Sequence, residues 1–540
     1  MTEQLHGTEV YNATIWLGPG KWLHEASLVF SEDGVIRAIG DAHGEHRCSQ
    51  RIDANGRTLL PAFGEGHAHP QHAGLREQFA PVAMARNIEE ILRNLGEYAH
   101  HHPEQEWIQG WGYDPSLAPN GQFDARWIDT IIADRPVMLR ATDYHTVWCN
   151  TRALELGGVD RVTEQPQDGE IVRRQDGSPL GTLREWGATR YILDIVPLPT
   201  LTQRTDALAW ASAQFLEGGI TWVQDAWVEG DELAAYLALA NGGLTVRYNL
   251  GLRADPKRYR EQVGEFRNVH DQIEQLNDPF LTARTVKIFA DGVLEAGTAA
   301  VLEPYHDCPH SQGIPNWSPE ELTDAVVRFD QAGLQVHIHA IGDRAIRMAL
   351  DAIETAQRSN PTWDRRPTIA HSQLIDPIDL DRFGSLGVIA NFEPLWAQLD
   401  PLQTELTFPR IGDERANRQY PIASLLRRGA HLSFGSDWPV SDFHPLAGIG
   451  VAVTRQNSDG EPAMGWQPDE RLSLDEALST YTVGTAYQAF ADQTRGTIAV
   501  GQIADLVLLD SDLSDIDPSQ LGAVRVMKTF LGGREVFSRE

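Results

Sequence analysis

The stretch Pro61-Ala-Phe-Gly-Glu-Gly-His67-Ala-His69 is an apolar run that ends in two histidines two residues apart. Side chains at i and i+2 of an extended strand project from one face, so both imidazoles can meet one metal ion. Alone, such a pair is as readily a hydrogen-bonded surface pair as a metal site. Four later stretches repeat its form: Thr285-Val-Lys287-Ile-Phe-Ala-Asp291, Val336-His-Ile-His339, Thr368-Ile-Ala-His371 and Leu432-Ser-Phe-Gly-Ser-Asp437. Each is a short β-branched or apolar run with a metal-capable or ionisable residue at its end, where parallel barrel strands carry their chemistry. Further runs at 219–225, 244–251 and 387–392, with helical spacing between runs as at 208–216, bring the strands to eight. The pattern predicts an α/β chain folded as a (β/α)8 TIM barrel.

Between the first and second of these runs the chain takes a long detour. Ile88, Ile91, Leu92, Leu95 and Tyr98 form one helical stripe, and strand-like runs rich in aromatics follow, so residues 70–205 read as an α/β insertion after barrel strand 1. A segment that leaves the barrel directly after His69 starts at the rim and can fold over it. Trp107, Trp111, Tyr113, Tyr144 and Trp148 would then supply either an apolar wall for substrate or the insertion's own core. Trp111 and Tyr113 are taken as the substrate-binding candidates.

The chain ends have a different texture. Residues 8–60 and the stretch from Gly496 to Phe537 alternate apolar and polar positions between turn residues, and neither end has enough strands to cover its apolar face alone. The 540 residues carry 76 acidic against 45 basic side chains, a net charge of -31, which repels a phosphate backbone or an anionic membrane. Neither nucleic acid nor membrane is an expected partner; a small-molecule substrate is, and homo-oligomerisation is left open. Cys48, Cys149 and Cys308 are odd in number and lie far apart, and the Met1 to Val10 stretch lacks an apolar signal core, so a reducing, cytoplasmic location is expected.

Taken in this order, the five ligand-bearing segments resemble the amidohydrolase superfamily of metal-dependent hydrolases, in particular its amidohydrolase-3 branch of N-substituted formamide deformylase-like and D-aminoacylase-related proteins. Where the family pattern has an aspartate before the first histidine pair, this chain has Glu65. The resemblance implies that residues 1–60 and 491–540 join as one small β-sandwich beside a barrel spanning 61–490. It implies a metal set of His67, His69, Lys287, His339, His371 and Asp437 holding two divalent ions, with zinc the expected metal. In related proteins the lysine is N6-carboxylated, which converts a repelling ammonium into a bridging anion. The alternative is a plain Lys287 ammonium paired with Asp291, a residue otherwise read as substrate-binding, at a site holding a single metal. Asp437 would act as general base and acid for a metal-bridging hydroxide, and His145 would approach the substrate as a second catalytic group. His337, two residues before His339, reads as a hydrogen-bonded core histidine. The implied reaction is hydrolysis of a non-peptide amide, a small N-acyl or N-formyl amine. Attack on a cyclic amide, lactone or ester by the same site is the neighbouring reading. A catalytically silent scaffold is the reading from another class, and such a scaffold would not need to keep all six ligating residues.

Overall fold

The computed structural model describes residues 7–40 and 48–539. Residues 1–6, part of the stretch read above for a targeting signal, lie outside the described residues. Eight parallel strands alternate with helices: β1 Phe63–Ala68, β2 Ile220–Val228, β3 Arg247–Arg253, β4 Leu281–Phe289, β5 Gln335–Ala340, β6 Thr368–His371, β7 Ile389–Phe392 and β8 His431–Phe434. They neighbour one another in chain order, and β1 meets the end of β8 through a parallel bridge between Ala68 and Trp438. Two backbone hydrogen bonds seal that seam, Asp437 N–H to His67 O and His69 N–H to Trp438 O, each 2.7 Å. These are the eight runs read from the sequence, closed as a (β/α)8 barrel.

Every residue of β1, β2 and β5 is buried, as expected for parallel strands covered by helices outside and filled by side chains inside. The covering helices follow from amphipathic runs with clear starts. Helix Pro319–Gln331 opens with a Ser318/Glu321 capping box and buries Leu322, Ala325, Val326 and Phe329. At the seam, Gly435 matters for its missing side chain. A Cβ there would lie 2.7 Å from His67 N and 2.8 Å from Glu65 Oε1, so only glycine lets the chain leaving β8 approach β1.

Strands from both chain ends share one sheet. Gly7–Gly18, Lys21–Ser31, Ile36–Gly40, Gln50–Asp53 and Thr58–Pro61 join Leu506–Leu509, Val526–Leu531 and Arg534–Ser538. The junction is the antiparallel pairing of Thr58–Pro61 with Leu506–Leu509. Ile15, Leu28, Leu59, Leu506, Leu508 and Phe530, drawn from both ends, pack into one buried cluster.

The segment between β1 and β2 builds its own five-stranded sheet, in the order Glu170–Arg173, Pro179–Arg184, Thr146–Cys149, Val137–Ala141, Ile108–Tyr113. Helix Ile88–His101, capped by the Asn87 side chain, buries Ile91, Leu95 and Ala99. Helix Leu201–Glu217 then leads back to β2. The three cysteines are free, and among the described residues no helix is long and apolar enough to cross a membrane.

Candidate metal centre

The strand ends at the C-terminal mouth of the barrel converge on one cavity of about 440 Å³, lined by His67, His69, Lys287, His339, His371 and Asp437 together. Within it, donor atoms of His67, His69 and Asp437 all lie within 4.8 Å of one another. Asp437 Oδ1 is 2.8 Å from His69 Nε2 and 3.6 Å from His67 Nε2. Although the first distance is short, the contact lacks hydrogen-bond geometry, and Asp437 Oδ1 has no hydrogen-bond partner among the described residues. Imidazole nitrogens and a carboxylate oxygen that converge at a buried point, with the carboxylate oxygen left without a hydrogen bond, are what a cation site requires. Lys287 Nζ lies 3.4 Å from His67 Nε2. The ring of His371 links the two halves of the set, with centroids 4.7 Å from His67 and 4.5 Å from His339.

Burial sets the charge state of this group. It holds His67, His69 and His339 well below the usual imidazole value, with neighbouring Lys287 and other histidines adding to the effect. His371 is depressed to about 3, again mainly by burial. All four are therefore neutral near pH 7, the form that ligates a metal. Burial lowers Lys287 to about 7 and raises Asp437 to about 6. The donor set of imidazoles, carboxylate and a weakly basic amine fits a divalent ion of the zinc type.

A layer of partners orients these ligands. His337 Nε2 is 2.9 Å from His67 Nδ1, which makes it the hydrogen-bonded core histidine expected from its position. Glu393 Oε2 is 2.9 Å from His371 Nδ1, and the Gly292 carbonyl is 3.1 Å from His339 Nε2. Glu65 Oε1 accepts from His67 N–H at 3.1 Å and from Ser436 N–H at 2.8 Å, tying the turn after β8 to β1. Such second partners fix the tautomer and aim of ligating rings. Asp437 and His371 adopt left-handed backbone conformations, φ +55° and +73°, a strain that clusters at functional sites.

His145 reaches the same cavity from the inserted unit. Its loop is shaped by Asp143, whose carboxylate accepts from the His145 and Thr146 backbone N–H groups, both 2.9 Å, and from Thr146 Oγ1 at 2.8 Å. His145 Nδ1 sits 2.9 Å from Glu185 Oε2. Burial opposes a charge on this ring, but the Glu185 carboxylate outweighs it and raises the pKa.

Three sequence-based assignments need correction. Tyr113 is fully buried in the insertion's core, with ring centroids 4.8 Å from Phe123 and 5.8 Å from Trp148. Trp111 packs with Leu75, Tyr144 and Ala207 behind the cavity wall. Neither lines the cavity, because an inserted sheet has to bury its own apolar face and consumes its aromatics doing so. Asp291 is also fully buried, and its oxygens accept from Ala300 N–H at 2.8 Å, Ile341 N–H at 3.1 Å and Gly342 N–H at 2.9 Å. It fastens the loop after β4 to the loop after β5 rather than touching substrate, and it is not paired with Lys287. Of the five insertion aromatics named above, Tyr144 alone lines the cavity. The apolar wall comes instead from the barrel, from Trp227 and Phe289 at the ends of β2 and β4 and from Leu395, Trp396, Leu402 and Val440 in the segments after the strands. Trp396 stacks on His371 at 5.3 Å with planes 7° apart.

Reasoning from sequence missed Glu185, Glu393 and these wall residues. Both glutamates are isolated acids outside any spaced motif, so only their burial beside a histidine marks them.

Known proteins resemble this chain over nearly its whole length. A family model described as "Amidohydrolase family" matches residues 50–537. The chain is 29% identical to the putative amidohydrolase YtcJ of Bacillus subtilis, covering 95% of this chain and 96% of that protein. It is 26% identical to the N-substituted formamide deformylase of Arthrobacter pascens, covering 89% of each. Among solved structures, an uncharacterized metal-dependent hydrolase from Pyrococcus furiosus superimposes with a TM-score of 0.68 at 25% identity, covering 95% of this chain and all (100%) of that one.

Proposed function

The chain belongs to the amidohydrolase family of metal-dependent hydrolases, and on that premise we propose that it cleaves the amide bond of a small N-acyl or N-formyl amine carrying an aryl or alkyl group. The observation that carries this reading is the buried convergence of His67, His69 and the unpartnered Asp437 Oδ1 at the floor of a cavity walled by Trp227, Phe289 and Trp396. His67, His69, Lys287, His339, His371 and Asp437 would hold two divalent ions, and zinc is the metal we assign. When bound, such ions polarise a carbonyl and make water a competent nucleophile near neutral pH.

The remaining steps belong to the protein. Lys287 has an amine of pKa about 7 and no carboxylate bonded to it, so its neutral form can add to CO2 and release a proton, leaving a carbamate anion. Asp437, with a pKa of about 6, takes the proton of the attacking water on its carboxylate and returns it to the departing amine nitrogen. Glu185 accepts from Nδ1–H of His145 and favours the protonated ring, whose Nε2–H can then donate to the substrate carbonyl oxygen. Trp396, stacked on His371, and Phe289 seat the apolar group and exclude water beside the scissile bond.

Metal analysis together with steady-state kinetics on matched N-formyl amines, N-acyl amines, lactams and esters tests the proposal. The expected result is close to two ions per chain and highest kcat/KM on the acyclic amides. In Lys287→Ala the second ion and the activity should be lost together. Full metal content and full turnover in that variant would overturn the metal assignment, and a preference for lactams or esters would overturn the substrate class.

A further inference from the structure

The charges lining the cavity are one-sided. Among the described residues Lys287 is its one lysine or arginine, whereas Asp114, Asp143, Glu295, Asp400, Asp437 and Asp442 all contribute to its wall. Five of these acids have evident employment. Asp437 belongs to the metal centre. Asp143 is spent on the His145 loop, and Asp442 is bonded to His444 Nδ1. Asp114 and Asp400 each accept a backbone N–H that shapes their own loop, from Ser116 at 2.8 Å and Gln403 at 2.9 Å.

Glu295 has no such role. Among the described residues its carboxylate makes no hydrogen bond and no ion pair, although the residue is half-buried. Arg410 is close in the fold but engaged elsewhere: its Nε–H donates to the backbone carbonyl of Glu295 at 2.7 Å and its guanidinium pairs with Asp307 at 3.1 Å. The loop that carries Glu295 is held by backbone bonds from Gly297 N–H to Leu294 O, 2.9 Å, and from Thr298 N–H to Val293 O, 3.0 Å. Its flanking Val293 turns an apolar side to the same cavity. Burial, with the charge of Asp143 adding to it, pushes the Glu295 carboxyl up to about 7. Its carboxylate is open to the cavity, where a cation seated against it would replace solvent with a charge-assisted hydrogen bond.

We propose that Glu295 is a specificity-determining residue that receives a protonated amine or similar N–H cation carried by the substrate, while the amide lies at the metal centre. The inference rests on the hydrolase reading above and adds the substrate's charge to it. The same lining disfavours N-acyl amino acids, because among the described residues no arginine or second lysine faces the cavity to take a carboxylate.

The test uses zinc-loaded full-length protein and N-formyl alkylamines of one chain length that end in methyl, hydroxyl, ammonium or carboxylate. Wild type should favour the ammonium compound over the neutral ones by roughly tenfold or more in kcat/KM, carried by KM, and reject the carboxylate. Glu295→Gln should abolish that ranking, and Glu295→Asp should retain part of it. In parallel, calorimetry compares an ω-ammonium alkanol with the uncharged alkanediol as ligands, which needs no turnover. Amide turnover without an ammonium preference, or a preference unchanged in Glu295→Gln, overturns this inference and leaves the hydrolase reading standing. A Glu295-dependent preference for the ammonium ligand in protein that turns over no amide supports Glu295 as the cation-receiving residue and sinks the amide-substrate reading instead.

Discussion

Trp227, Phe289 and Trp396 sit at or just beyond the C-terminal ends of barrel strands and face the cavity, whereas Tyr113, Phe123 and Trp148 of the inserted unit close on one another. The difference follows from how each region completes its core. Barrel strands are covered by helices on the outside and filled by layers of side chains within, so residues at the strand ends are left over for the mouth. The inserted sheet completes its apolar faces with the insertion's own helices and loops, and its largest side chains are spent in that packing. The inserted unit therefore meets the cavity mainly through loop residues such as Tyr144 and His145, while its strand aromatics stay out of the wall.

Mutations on the two sides should separate accordingly. The largest effect is expected at the metal floor, where Asp437→Asn should cut turnover by about 10²- to 10⁴-fold while the protein stays folded. Near-normal kcat in metal-loaded Asp437→Asn would move proton transfer to another group. On the insertion side, Tyr113→Ala should cost about 3–5 kcal/mol in chemical denaturation. Its KM should hold while the protein is folded, and a large change in KM at unchanged stability would return Tyr113 to the substrate wall. Glu393→Gln should weaken metal affinity by about 10- to 100-fold, read by competition with a chelator, because the partner of His371 Nδ1 is altered. Unchanged affinity would reduce Glu393 to packing. The smallest effect belongs to the rim: Trp396→Ala should raise KM for aryl amides by roughly tenfold, against little change for formamides lacking an aryl group.

The barrel was legible because each strand is a short apolar run, and the ligating residue at its end breaks that run at a repeated place. Val336-His-Ile-His339 and Thr368-Ile-Ala-His371 announce both strand and site in a handful of residues. The wall was not legible, since Trp111 and Trp148 alternate in strands just as cavity-facing residues would, and alternation does not say which face is core. Trp396 follows Pro394 in a short turn with no periodicity at all. Glu295, Glu185 and Glu393 lie in no spaced pattern, so their roles arise only from what the fold brings beside them.

The most direct test of the central claim, that the barrel-mouth cavity is a metal-dependent hydrolytic centre, is titration of chelator-stripped protein with zinc while turnover of an N-formyl amine is followed. Activity should be absent without metal and rise to a plateau near two equivalents per chain, with Asp437→Asn binding metal but not recovering turnover. Undiminished hydrolysis by protein shown to contain no metal would contradict it.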